Sequence, residues 1–209
     1  MDGLTRFDRV ERSVHWTTAF LFITLMLTGA TLYVGPLSTM VGRRELVRTM
    51  HVLAGLALPV PIVVGLAGRW GRSLRRDVGR LNRWSPDDKA WMRRRTRASA
   101  RLGKFNPGQK LNATFLGAAI VIMLVTGSIM KWFGPFPLSW RTGATFVHDW
   151  LALGIWVSIS AHVLFAFRDP DALRSMTRGA ISARWARTRR PRWYEEETGM
   201  PAERLKASR

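Results

Sequence analysis

The chain contains no cysteine among its 209 residues. Disulfide staples, iron–sulfur ligation, thiolate metal sites and cysteine nucleophiles are therefore excluded. Acids are scarce, 14 Asp+Glu against 33 Lys+Arg, and the formal charge is +19. A soluble chain this basic ordinarily points to nucleic acid. Here 47% of the residues are hydrophobic, with 10 Trp against 2 Tyr, and apolar and charged residues fall into separate blocks. The mean hydropathy of -0.04 thus averages two populations, and no nucleic-acid role is expected. Histidine occurs only four times, so each one merits placing.

Four apolar blocks stand out, at about Thr17–Val34, Val52–Ala67, Leu111–Met130 and Thr145–Phe167. A helix crosses the hydrocarbon core with roughly 17–25 mostly apolar residues. The first, third and fourth blocks meet that length. The second contains Pro59 and Pro61, which kink it, and it spans only if it starts near Leu46. Four such blocks leave too little polar sequence to wrap a soluble core. The expected fold is an all-α membrane protein, a four-transmembrane-helix bundle with spans at about 13–34, 46–68, 110–132 and 143–168. Residues 1–168 form the membrane domain, with a loop at 69–109, and residues 169–209 form a basic tail.

Basic residues set the orientation, because they accumulate on the cytoplasmic side. Of the 33 Lys/Arg, 28 lie before the first block, between the second and third, or after the fourth; 5 lie in the other two connections. Both termini are therefore expected in the cytoplasm, and the charge also suits anionic lipid. The first apolar run is long for a signal peptide and lacks a small-x-small cleavage site, so it reads as a retained helix. Short cytoplasmic surface helices are expected from Ser85-Pro86-Asp87-Asp88, ending at Gly103, and from Asp169-Pro170. The tryptophans assigned to them, Trp91 and Trp185, suit lipid headgroups or a docking partner. No internal repeat is evident.

His15, His51, His148 and His162 all fall in or beside the spans, where polar groups are costly and usually functional. Tracing the helices pairs them by depth, His15 with His162 inside and His51 with His148 outside. His148 and His162 are 14 residues apart, about 21 Å along a helix and within ~40° of one face. Two imidazoles at one depth on facing helices suit the two axial positions of a haem iron. Closed zinc or copper sites need three or four ligands at one level. Proton relays usually add carboxylates, and Asp149 is the only acid within a block. Each histidine also has a plain alternative, an imidazole bonded to a backbone carbonyl. Gly29, Gly55, Gly117, Gly127 and Gly154 permit close approach of helices or of a flat macrocycle. Arg12, Arg48 and Arg141 are candidates for propionate pairing.

Further segments carry a family likeness. They are Arg6-Phe7, Val14-His15-Trp16, His51, Phe105-Asn106-Pro107-Gly108-Gln109-Lys110, His148, His162, Arg184-Trp185-Ala186-Arg187 and Arg190-Pro191-Arg192-Trp193-Tyr194. On these the chain resembles the gamma (cytochrome b556) subunit of membrane-bound respiratory formate dehydrogenase. That family shares a superfamily with the cytochrome b subunits of nickel–iron hydrogenases. The resemblance implies two haem b groups, one on His51/His148 at the outer face and one on His15/His162 at the inner face. It implies an iron–sulfur beta subunit and a molybdenum or tungsten alpha subunit as partners, in the bacterial cytoplasmic (inner) membrane. Electrons would pass through the outer and then the inner haem to a quinone, menaquinone or ubiquinone. Asn106, Gly108 and Gln109 match the quinone segment, with Lys110 beside it and His162 adjacent. On their own, without the resemblance, Asn106-Pro107-Gly108 read rather as a turn before the third span.

Two departures from the family pattern stand out: Pro107 replaces a small residue, and Thr188-Arg189-Arg190 replaces a His-His pair. The chain carries no formate-oxidising site of its own. The alternatives are a cytochrome b serving a nickel–iron hydrogenase or another molybdoenzyme, and a haem-free membrane anchor.

Overall fold

The computed structural model describes residues 3–93 and 101–202. In chain order the elements are β1 (Gly3–Thr5), α1 (Arg9–Tyr33), α2 (Gly35–Val41), α3 (Arg44–Ala57), α4 (Val60–Ala67), α5 (Arg72–Asn82) and α6 (Pro86–Met92). They continue as α7 (Pro107–Lys131), α8 (Leu138–Phe167), α9 (Pro170–Arg178), β2 (Ala180–Ser182), α10 (Ala183–Arg189) and α11 (Pro191–Thr198). The chain divides into two compact units. An apolar unit comprises Ser13–Arg69 and Phe115–Val163, and a polar unit comprises the described residues of Met1–Arg12, Trp70–Thr114 and Leu164–Arg209.

Four helical stretches are long and apolar enough to cross a membrane: Arg9–Tyr33, Arg44–Ala67, Pro107–Lys131 and Leu138–Phe167. The second is two helices, α3 and α4. Pro59 and Pro61 lack the N–H groups that a continuous ladder needs, so the helix breaks between Ala57 and Val60.

In the apolar unit the core is one thin cluster, Phe22, Leu58, Ala119, Ile120 and Ile155, drawn from all four stretches. Most other large side chains face outward: Phe20 is 68% exposed, Leu53 61%, Val121 61% and Val157 63%. That much contiguous apolar surface is not stable in water, and its natural solvent is lipid hydrocarbon. Polar side chains here satisfy themselves locally. Thr24, Thr31 and Thr145 each donate to the carbonyl four residues back, as helices in hydrocarbon require.

The polar unit is stitched differently. β1 and β2 pair antiparallel, Gly3 opposite Ser182 and Thr5 opposite Ala180. Gly179 turns the chain into β2 with φ 87°, and a Cβ there would lie 2.7 Å from the Phe7 carbonyl oxygen. Arg6 and Phe7 both donate their backbone N–H to the Gly179 carbonyl, at 2.8 and 3.1 Å. Ile181, Trp185, Ala186, Trp193 and Tyr194 form the core, with Leu4 packed on it.

Three helices of this unit start with a reciprocal capping box. Asp8 and Glu11 open α1, with bonds of 2.7 and 2.8 Å. Ser85 and Asp88 open α6. Asn106 and Gln109 open α7, at 2.9 Å in both directions. The departure at Pro107 is thereby explained, because proline suits the first helical position, where no N–H is needed.

Two expectations are corrected. The helix that begins after Ser85 closes at Met92 rather than near Gly103; part of the expected remainder, residues 94–100, lies outside the described residues. The tail helix from Asp169 ends at Gly179, whose left-handed backbone a helix cannot continue through. Trp185 therefore sits on α10, and it is buried in the core rather than free for lipid or a partner.

Candidate functional site

All four histidines lie in the apolar unit: His15 on α1, His51 on α3, His148 and His162 on α8. The rings of His15 and His162 are 6.2 Å apart between centroids. Those of His51 and His148 are 6.4 Å apart. A metal–imidazole bond of ~2.0 Å, plus about 1.1 Å from nitrogen to ring centre, places two opposed imidazoles on one metal about 6.2 Å apart. Both pairs have that spacing. A direct hydrogen bond between the rings, about 2.9 Å from nitrogen to nitrogen, would bring the centroids to roughly 5.1 Å, closer than either pair stands. Among the described residues no three His, Asp or Glu side chains converge on a point, so a closed tetrahedral site is not built. Two nitrogen donors per level, in an apolar bundle, fit the axial positions of a haem.

The two levels are separated along α8 by 14 residues, roughly 21 Å. Ile155, seven residues from each histidine, belongs to the buried cluster with Phe22, Leu58, Ala119 and Ile120. Dry side chains thus fill the bundle between the levels.

Sequence inspection missed the partners of the His51/His148 pair. Thr28 Oγ1 lies 2.9 Å from His51 Nδ1, and Thr126 Oγ1 lies 3.0 Å from His148 Nδ1. Each threonine is followed by a glycine that meets the same ring. A Cβ on Gly29 would stand 3.4 Å from His51 Cε1, and one on Gly127 would stand 3.4 Å from His148 Cε1. The same dipeptide, Thr-Gly, therefore serves each histidine from the preceding span, 23 residues before His51 and 22 before His148. The two hairpins share this device although no extended repeat marks them. The other glycines differ in use: a Cβ at Gly154 would crowd Phe115 at 3.3 Å, one at Gly55 would only touch Leu25, and Gly117 faces open space.

Asn106, Gly108, Gln109 and Lys110 stand together in the polar unit at the start of α7. The oxygens of Asn106 and Gln109 accept each other's backbone N–H, which engages them in the helix start. Lys110 is buried and donates to Asp88 at 2.7 Å and to the Arg83 carbonyl at 2.6 Å. Burial opposes the Asp88 charge, but its bonds from Lys110 and Ser85 outweigh that and hold its carboxyl below the usual range.

Arg190, one of the departures from the family pattern, ties the tail to this segment. It donates to the Lys104 carbonyl at 3.3 Å and reaches Gln109 Oε1 at 3.5 Å. Trp185 lies under two guanidinium groups, Arg6 at 4.6 Å and Arg190 at 5.3 Å. Burial, with the Arg190 charge adding to it, draws Arg6 down to about 9, and burial draws Arg190 to about 10. Phe7 meets Phe105 at 6.3 Å, with Lys104 Nζ over its ring at 4.6 Å. Lys104 itself is buried between Asp77 and Glu11. The segments that carry the family likeness at residues 6–7, 105–110 and 184–194 thus pack into one cluster.

The candidate propionate partners have other contacts. Arg12 donates to the Thr177 carbonyl at 2.5 Å, Arg48 pairs with Glu45 at 2.6 Å, and Arg141 lies over Phe133 at 4.8 Å.

A bundle of four membrane-length helices holding two opposed imidazole pairs is the build of a membrane b-type cytochrome. Residues 6–179 match the family model for prokaryotic cytochrome b561, and the chain belongs to that family, which implies haem b as cofactor. It is similar to the formate dehydrogenase cytochrome b556(fdo) subunit of Escherichia coli K12, 28% identical over 209 residues and 93% of each chain. It is 27% identical over 194 residues to the formate dehydrogenase cytochrome b556 subunit of Haemophilus influenzae, covering 89% of this chain and 80% of that one. With the nitrate-inducible formate dehydrogenase cytochrome b556(Fdn) subunit of Escherichia coli K12 it shares 26% identity over 208 residues, 92% and 91% of the two chains.

Proposed function

We propose that this protein is the dihaem b-type cytochrome subunit of a respiratory formate dehydrogenase-type complex, seated in the bacterial cytoplasmic membrane with both termini inside. The carrying observation is the recurrence of one ring spacing, 6.2 and 6.4 Å, in two histidine pairs. Haem b held at each pair would supply reversible one-electron chemistry between an outer iron–sulfur partner and a quinone on the inner side. His51 and His148 hold the outer group, and His15 and His162 hold the inner one. The apolar cluster of Phe22, Leu58, Ala119, Ile120 and Ile155 keeps water out between them, so charge crosses as electrons. The names of the relatives favour formate dehydrogenase over hydrogenase as the parent complex.

Asn106, Gly108, Gln109 and Lys110 are the proposed quinone contacts. The Asn106 and Gln109 amide N–H groups, which are not part of the capping box, are the donors for a quinone carbonyl. Lys110 lies beside them with its charge paired to Asp88.

A reduced-minus-oxidised spectrum of the purified protein, with haem counted per chain, tests this reading. Two haems are expected. His51→Ala and His148→Ala each remove one and spare the other; His15→Ala removes the second. His162→Ala removes the inner haem and also abolishes quinone reduction by the complex. Loss of both haems from every single substitution contradicts two separate sites. A folded wild-type chain without haem leaves only a membrane anchor.

A further inference from the structure

Thr28 and Thr126 do more than line the bundle. A threonine hydroxyl has one proton and two lone pairs. In both residues the proton is already directed. Thr28 Oγ1 donates to the Thr24 carbonyl at 2.6 Å, and Thr126 Oγ1 donates to the Ile122 carbonyl at 2.8 Å. With its proton on that carbonyl, each oxygen meets its histidine as an acceptor. With Nδ1 of His51 and Nδ1 of His148 carrying the hydrogen, at 2.9 and 3.0 Å, both hydroxyl and ring donors are used, and the Leu25 carbonyl is a second acceptor for the His51 ring. That fixes the tautomer, and in a neutral imidazole it leaves the Nε2 lone pair for a metal.

The relay continues into the helix backbone, from Nδ1–H to Oγ1–H to a main-chain carbonyl, and such chains polarise one another. An imidazole that donates strongly through Nδ1 gains imidazolate character and becomes a better electron donor to iron. Better donation favours the ferric state. The glycine after each threonine completes the device, because a methyl there would already touch Cε1 of the same ring at 3.4 Å and a larger side chain would press on it. Two copies from two different spans, on opposite ligands of one site, argue that the arrangement is selected for the metal centre rather than for packing.

We infer that Thr28 and Thr126 are positioning residues for the His51/His148 haem, setting the tautomer of both ligands and holding that haem's potential down. This rests on the haem assignment proposed above, and the test separates the two. The experiment is a redox titration of the purified holoprotein, following the absorbance of each haem, with electron paramagnetic resonance of the ferric forms. Thr28→Val and Thr126→Val keep the shape and remove the hydroxyl. Each is expected to keep two haems and move one midpoint potential upward, further in the double variant, with the other potential unmoved. The ferric resonance of the same haem shifts with it. Thr28→Ser and Thr126→Ser restore both.

Unmoved potentials in a double valine variant that retains two haems overturn the inference and leave the haem assignment standing. Should valine expel the haem, serine must return both haem and potential; a serine variant that returns neither overturns it. If His51→Ala retains both haems in the same titration, the haem assignment is what fails.

Discussion

Among single residues, Gly179 is the position where the backbone leaves least choice. Its φ of 87° is unfavourable for any residue with a Cβ, and that Cβ would sit 2.7 Å from a backbone oxygen. Gly179→Ala is expected to cost at least ~2 kcal/mol and to lower the unfolding midpoint in detergent. The same substitution at Gly117, which faces open space, should leave the midpoint unchanged or raise it, since alanine favours helix. Gly29 and Gly127 fall between these cases. Alanine there meets an imidazole at 3.4 Å, an ordinary van der Waals contact that closes the remaining space beside the ring. A leucine has no room, and Gly127→Leu should deplete the haem on His51/His148 while the other stays, as haem counting would show.

The short helix α6 and the start of α7 depend on one buried pair. Lys110 and Asp88 are 2.7 Å apart, with side chains only 7% and 3% exposed. Removing one member leaves a buried uncompensated charge, which costs about 3 kcal/mol or more. Lys110→Met should therefore destabilise the protein strongly, and Lys110→Met with Asp88→Leu should recover only part of the loss, because Asp88 also closes the capping box with Ser85. The Asp88 carboxyl is held below its ordinary range, so folding favours its charged form. The stability it contributes is complete above the ordinary carboxylate range and is lost as pH falls through the lowered value. Thermal unfolding of the wild type followed downward from pH 6 should show a drop in acid that is smaller in the Lys110→Met, Asp88→Leu double variant, where Glu197, also held low by Arg80, still contributes.

For the whole molecule, the charge asymmetry and the absence of cysteine combine into a direct test of topology. Single cysteines introduced into the cysteine-free chain report which side they occupy. Thr39→Cys, on α2 in a weakly basic connection, should react with a membrane-impermeant thiol reagent in intact spheroplasts. Ser73→Cys and Thr177→Cys, in the strongly basic segments, should react only after the membrane is opened. The reverse pattern would invert the proposed orientation and move the His51/His148 level to the cytoplasmic side.

Much of the fold was legible because hydrocarbon imposes a simple code. A spanning helix must be long and apolar, so Arg9–Tyr33, Pro107–Lys131 and Leu138–Phe167 announce themselves, and Pro59 and Pro61 announce the break before α4. Four histidines in such a chain are conspicuous for the same reason: an imidazole at membrane depth needs a purpose. What composition and spacing do not contain is which side chain meets which across the bundle. The bonds of Thr28 and Thr126 to histidines on the next span, and the cluster joining Arg6, Lys104, Gln109, Trp185 and Arg190, come from contacts between residues far apart in the chain. Threonine and glycine are common in membrane helices for packing alone, so nothing local distinguishes Thr28-Gly29 and Thr126-Gly127 until the rings of His51 and His148 are placed against them. The sequence by itself determined the solvent, the helices and the set of histidines proposed as ligands, since these follow from the chemistry of single segments. Only the tertiary structure decided the ring spacing, the threonine–histidine contacts and the clasp of the tail, because each is a distance between segments that the chain must fold to create.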